Sequence, residues 1–346
     1  MDENEAMATA HRARLHALMG DLFAPPALRL NDRERALMKG ALVALAQTVI
    51  HDVRSQLCGQ VGQSAIDAAH DEARAWTIAE SCMALRTLPV AEVLRLRLDL
   101  HVLGQGLAAT VAQWGMEPLR GVGHRLLRAD DPARSKVTDA YRLALVRRLD
   151  AFGNPVLAPE DLPSTQARAL CWAVLASLNE EAPRRAPPIE RRAAIQFVER
   201  WARAQDVSPR YDRICASLAR AVAHDDMTAL TTELLAVGAA DLWVHALAER
   251  LSIPVRAIGR MLSCRRLDLF AALLPRASID QAMAQKIAAA SAAILGGPED
   301  YYNGGKQRAA GGIDIDAVIE SLSIEPDYAD ARLDLHDIPS SVFQDL

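Results

Sequence analysis

Residues 31–57 read NDRERALMKGALVALAQTVIHDVRSQL, and Leu37, Met38, Leu42, Leu45, Val49, Val53 and Leu57 recur in it at spacings of three and four. That period lays an apolar stripe along one side of a helix. Asn31 with Glu34 has the form of a capping box, in which the Asn side chain accepts from a free N–H of the first turn while the Glu reaches back to the cap residue's own. The stretch is therefore expected to form one long helix over 32–60.

The same pattern spreads outward from this segment. Helices are expected near 8–22, 64–86, 89–114, 132–150, 165–179, 189–205, 209–224, 227–237, 241–251, 255–263, 267–274 and 279–294, with no convincing strand alternation between them. Asp131-Pro132 and Ser208-Pro209 each set a capping side chain before a proline suited to the first helical position. Ser278 with Gln281 reads as a second capping box. Composition agrees: 51% of the chain is apolar but only 4% aromatic, so the interior must be filled by Ala, Leu, Val and Ile. Ala and Leu favour helices over strands. The expected fold class is all-α, either stacked helix pairs of the solenoid kind or an irregular multi-helix bundle.

Two proline-bearing stretches, Phe152 to Pro163 and Glu181 to Pro188, break the helical text, and either could join two lobes. The second is taken as the boundary, giving lobes over 1–186 and 187–297. Residues 298–346 form a third segment. Within it, 311–346 carries nine carboxylates against one Arg332, too little apolar density to offset ordering entropy, so a flexible acidic tail is expected. Ile313, Ile315, Val318, Ile319 and Leu322 could still make one short helix. Ile315, Ile319, Leu322, Val342 and Phe343 are the tail's candidate partner-binding residues.

Several function classes are disfavoured at once. A net charge of −5 gives no global attraction to nucleic acid or to an anionic membrane. Cys58, Cys82, Cys171, Cys215 and Cys264 are scattered and odd in number, which reads as reduced, mostly buried thiols with no disulfide framework and no zinc site. The acidic opening Met1-Asp2-Glu3 is unlike a secretory signal, and Val102 to Met116 falls short of a membrane span, so a soluble cytoplasmic protein is expected. Neither a phosphate-binding glycine loop nor a nucleophile elbow occurs, and no cofactor is expected.

Residues 241–251 read DLWVHALAERL and 268–276 read DLFAALLPR. Each is followed by Arg-x-Ser-Ile, at Arg250 to Ile253 and Arg276 to Ile279, so a helix and its turn recur about 26 residues apart. Two copies suggest stacked helix pairs. The intervening AERLSIPVRAIGRML also looks like a helix-turn-helix, with Ala248 at the close approach, Ser252 at the turn and Ile258 on the inner face. Arg256 and Arg260 would then point into a major groove, with Arg250, Arg265 and Arg266 on phosphates. A serine where the turn usually has glycine, and an acidic chain overall, weigh against it.

Helical phosphohydrolases hold a metal through a His, a His-Asp pair and a distant Asp. His16, His51-Asp52 and Asp99 occur here in that order, but His-Asp also occurs at His70, His224 and His336, so the pair carries little information. Gly104-x-Gly106 and Gly121-x-Gly123 are expected to permit close packing or a break. Trp76, Trp114, Trp172, Trp201 and Trp243, spread singly over separate helices, are expected in the core.

The run Asp32-Arg33-Glu34-Arg35-Ala36-Leu37-Met38, continued to His51-Asp52-Val53-Arg54, resembles the opening of an alphaproteobacterial family, the domain-of-unknown-function 2336 family. Asp241-Leu242 to Ile258 and Asp268-Leu269-Phe270 to Ser278-Ile279 resemble that family's tandem helix pairs. The likeness covers two blocks, about 32–61 and 224–295. It implies an intracellular, all-helical body with repeat-like packing, and no catalytic, cofactor-binding or metal-binding residue to carry over. The leading functional expectation is a non-catalytic helical scaffold or regulator that binds a protein partner. A DNA-binding regulator using 248–266 comes second, and a metal-dependent phosphohydrolase third.

Overall fold

A computed structural model of the chain describes residues 32–57, 65–114, 132–181, 191–207, 210–222, 225–264, 266–295 and 315–323. Among them the chain is all-α. Its thirteen helices are α1 (Asp32–Leu57), α2 (Ala65–Ser81), α3 (Leu88–Gln113), α4 (Pro132–Val146), α5 (Ser164–Glu181), α6 (Arg191–Val207), α7 (Tyr211–Val222), α8 (Met227–Ala236), α9 (Ala240–Leu251), α10 (Val255–Ser263), α11 (Leu267–Arg276), α12 (Gln281–Leu295) and α13 (Ile315–Leu322). Short 3-10 turns occupy Met83–Arg86 and Pro159–Asp161. The expected helix over 8–22 and the caps at Asn31, Asp131 and Ser208 lie outside the described residues.

These helices form two compact units interleaved in sequence. One comprises Leu15–Leu98 and Arg142–Ile214; the other comprises Asp99–Tyr141 and Cys215–Leu346, with Met1–Arg14. The expectation placed consecutive lobes at 1–186 and 187–297. The physical reason for the difference is that α3, α4 and α7 run unbroken through the unit limits. Neither proline-bearing stretch separates units, since both fall within Arg142–Ile214.

In the first unit α1 packs against α2, α5 and α6. Met38, Leu42, Leu45, Ala46, Val49, Ile50 and Val53 are its buried stripe. Full burial of each large aliphatic side chain contributes about 1.5–3 kcal/mol, which makes this stripe the unit's main cohesive surface. Over Arg33–Leu57 α1 is also long and apolar enough to cross a membrane by length and composition alone. Its apolar face, however, is already covered by three helices. The same unit absorbs the first proline stretch: Pro155, Leu157, Ala158, Pro159 and Leu162 are buried, which a linker would not allow.

In the second unit α8 to α12 follow one another through short turns, each helix packing on the next. The only non-glycine residues with left-handed backbone among the described ones are Ser252 (φ 55°) and Ser278 (φ 67°). They are the serines of the two Arg-x-Ser-Ile copies. Both close their helices alike, the following isoleucine N–H reaching back five residues, Ile253 to Ala248 O (3.0 Å) and Ile279 to Leu274 O (3.2 Å). Gly238 (φ 73°) ends α8 in the same manner, with Ala239 N bonded to Leu234 O at 2.9 Å. Left-handed backbone costs an L-residue about 1–2 kcal/mol, partly offset in glycine by its greater chain entropy, so Ser252→Gly is expected to stabilise this unit by about 0.5–1 kcal/mol in urea denaturation.

Ser278 therefore ends α11 and does not cap α12, correcting the predicted capping box. The cap is Asp280, whose carboxylate accepts from Met283 N at 2.9 Å; an αL residue two positions earlier cannot also supply the extended backbone a cap requires. The predicted role of Gly104 and Gly106 in close packing holds. A Cβ at Gly104 would collide with the carbonyl oxygen of Gly238, and one at Gly106 would lie 2.6 Å from the Ile294 side chain. Gly104→Ala must displace backbone, and a loss of about 1–3 kcal/mol is expected by the same measurement.

Part of the acidic tail is ordered. α13 packs on α11, with Val318 and Leu322 buried, and Asp316 pairs with Arg276 at 2.8 Å.

Candidate interaction surface

The arginines predicted to face a ligand do not share one exposed face. Arg256 is exposed, but Arg260, four residues on, is buried, because every residue of α10 from Ala257 to Ser263 is enclosed. The outward Arg256–Arg260 fork of a recognition helix is thus not formed. Arg250, also exposed, bonds Ser278 Oγ at 3.2 Å, and Arg266 pairs with Asp268 through Nε and Nη2, both at 3.1 Å. Arg265 lies outside the described residues. Of the tail residues, Leu322 is buried and committed, Ile315 and Ile319 are half-buried, and Val342 and Phe343 lie outside the described residues.

The histidine and aspartates singled out for metal chemistry have other occupations. His51 is exposed on α1. Asp52 Oδ2 accepts from Trp201 Nε1 at 2.9 Å, and Asp99, buried on α3, accepts from Ser263 Oγ at 3.0 Å. His16 is outside the described residues. Among the described residues no three His, Cys, Asp or Glu side chains gather as a metal site would require. A buried polar cluster of the second unit is instead structural in form: Tyr141 Oη and Leu242 N both donate to Asp241 Oδ1, at 3.0 and 2.8 Å, and His245 Nδ1 lies 2.8 Å from the Asp241 carbonyl oxygen.

Three of the four described cysteines are buried. Burial, aided by the nearby Asp52 carboxylate, pushes the Cys171 thiol from its ordinary 9.0 up to about 12. Raised in the fold and ordinary in the unfolded chain, this group favours the native state fully below pH about 9, and that contribution fades as pH climbs toward 12. Cys171 is expected to resist thiol-labelling reagents at pH 8 until the first unit unfolds. Cys171→Ala should flatten the alkaline decline of stability, read from melts at stepped pH.

The tryptophans divide. Trp201 and Trp243 are core residues, but Trp76 and Trp172 are about 40% exposed (42% and 40%), against expectation. The Lys39 ammonium stands 5.0 Å from the Trp76 ring centre, a cation–π contact that suits a surface ring. Lys286 stands similarly over Trp114, at 5.7 Å.

Sequence reading missed the most exposed aromatic among the described residues. Phe152 is 89% exposed at the tip of a small arch in which Leu149 and Pro155 bridge. Val156 N bonds Arg148 O at 2.9 Å, and Arg148 itself is buried. Its guanidinium holds Asp161 through Nη2–Oδ1 at 2.7 Å and Nε–Oδ2 at 3.1 Å, bonds the Ala144 carbonyl and lies 4.7 Å from the Tyr211 ring centre. Leu143 and Val146, on the last turn of α4, are 57% and 69% exposed. The signal available in sequence was Asp150-Ala-Phe-Gly-Asn154, a turn text with an aromatic at its centre.

No protein family, no curated protein and no solved structure matches the chain.

Proposed function

We propose that the chain is a cytoplasmic, non-catalytic helical scaffold or regulator that binds a protein partner. The observation that carries this reading is the run α8 to α12, whose two copies end in the same left-handed turn and whose equivalent aromatics, Trp243 and Phe270, meet edge to face at 5.7 Å. Such a succession spends its apolar residues on joining helix to helix and, on α12, leaves Gln281, Gln285 and Lys286 outward, the kind of face by which stacked helix pairs recognise other proteins.

Affinity purification of the tagged full chain from its native cytoplasm tests the proposal. A protein retained in fixed ratio to the chain, with 311–346 present or removed, is the expected result. Retention of no protein by either form would overturn it.

A further inference from the structure

We propose that α13 is a releasable cap on the end of the run α8 to α12, sitting where a further helix pair would sit and holding that place against an amphipathic helix of its own pattern in another protein. The inference rests on the protein-binding reading above and adds how part of that surface is covered.

The two sequence copies define the place that α13 fills. Arg250, in the last turn of α9, bonds forward to Ser278 Oγ in the turn that closes the second copy, at 3.2 Å. Arg276 holds the same position in the second copy, in the last turn of α11, and its Nη2 donates to Asp316 Oδ2 on α13 at 2.8 Å. α13 thus does for the second copy what the second does for the first. The last unit of a helix-pair run needs a covering element that is apolar toward the run and polar toward water. α13 has that form: Val318 and Leu322 are buried and Ile315 and Ile319 half-buried, whereas Asp316, Ala317 and Glu320 are exposed.

The inward residues also name the competing occupant. Positions 315, 318, 319 and 322 are spaced i, i+3, i+4 and i+7, the anchor pattern by which a helix lies on an apolar surface of another protein. Beside them stands the acid that Arg276 holds. A helix in trans with the same anchors and acid would meet the same side chains on α11. Exchange is possible because the hold is weak. Isolated helices below about 12–15 residues are marginal in water, so a helix of 8 residues persists only while docked. Its ion pair is 50% and 69% exposed and is therefore screened by salt. A longer partner helix, carrying more stability of its own, displaces it.

The test uses the full chain and a synthetic peptide of residues 315–323. Val318→Asp with Leu322→Asp removes the two buried anchors and changes no residue of α8 to α12, so the variant should stay folded with the place on α11 open. The peptide is expected to bind this variant about tenfold more tightly than the wild type, the difference imposed by a cap docked about nine-tenths of the time. Arg276→Glu in the released variant should weaken the peptide about fivefold, and Asp316→Arg in the peptide should restore it. Equal binding to both forms, binding to neither, or no charge dependence would overturn the proposal. In the wild type, native-state hydrogen exchange should find α13 opening while α8 to α12 stay protected; protection of α13 equal to that of α9 would overturn it without recourse to any variant. If affinity purification retains a partner while the peptide does not tell the two forms apart, the cap fails and the scaffold reading stands.

Discussion

Trp243→Ala is expected to destabilise the second unit by about 3–5 kcal/mol, the range for removing a large aromatic from a packed interior. Trp243 has no solvent exposure; its indole N–H donates to Thr231 Oγ1 at 3.0 Å and its ring meets Phe270. Native-state hydrogen exchange should show the loss across α8 to α11 together. The Trp243–Phe270 pair should register about 0.5–1.5 kcal/mol of coupling in a double-mutant cycle. Trp243→Phe keeps most of the packing and removes only the N–H, so a smaller loss of about 1–3 kcal/mol follows. A cost below 1 kcal/mol for the alanine variant would show that the repeat aromatics do not hold these helices together.

Arg148→Ala is expected to be comparably severe in the first unit, at about 3–5 kcal/mol. Arg148 and Asp161 are 2% and 8% exposed, so removing the cation leaves a carboxylate buried without its main partner. Asp161 also accepts from Ala158 N at 3.0 Å, and the same residue thus sets the 3-10 turn that leads into α5. The sign of the pair's own contribution is a separate matter, because two charges taken from water forfeit much of what their attraction returns. Arg148→Met combined with Asp161→Leu should therefore recover most of the lost stability in urea denaturation. If the double variant is as unstable as the single one, the cost lies in lost shape and hydrogen bonds, not in the stranded charge.

Helix positions were legible because period is a local property: the stripe from Met38 to Val53 states which side of α1 is inward whatever covers it. The Asp-Leu-aromatic copies were legible for the same reason, and they end in matching backbone. What covers a stripe is not local. Nothing in the text around Asp99, Tyr141 or Ile214 marks the limits of the units, since each falls inside a continuous helix. Depth along a helix is equally invisible. Arg256 and Arg260 share a face by spacing, yet only the first is exposed, because α10 is enclosed on all sides over its second half. Proline density misled in the opposite direction: the stretch after Phe152 reads as a linker, whereas Pro155 and Pro159 are buried and Asp161 is held by the buried Arg148. Phe152 itself escaped notice because an aromatic residue carries a strong prior for the interior, and only coordinates reveal that its turn aims it at solvent.

The left-handed serines set a rule for how this molecule can grow or shrink over evolutionary time. Ser252 and Ser278 recur after two helices, not one. Gain or loss of a single helix would put an α10-like segment where α9 belongs and mismatch every neighbour, but duplication of a whole block from Asp241 through Leu267 restores the pattern at both seams. Paralogues that differ in length here should do so by even numbers of helices, each new block bringing its own aromatic to meet the last.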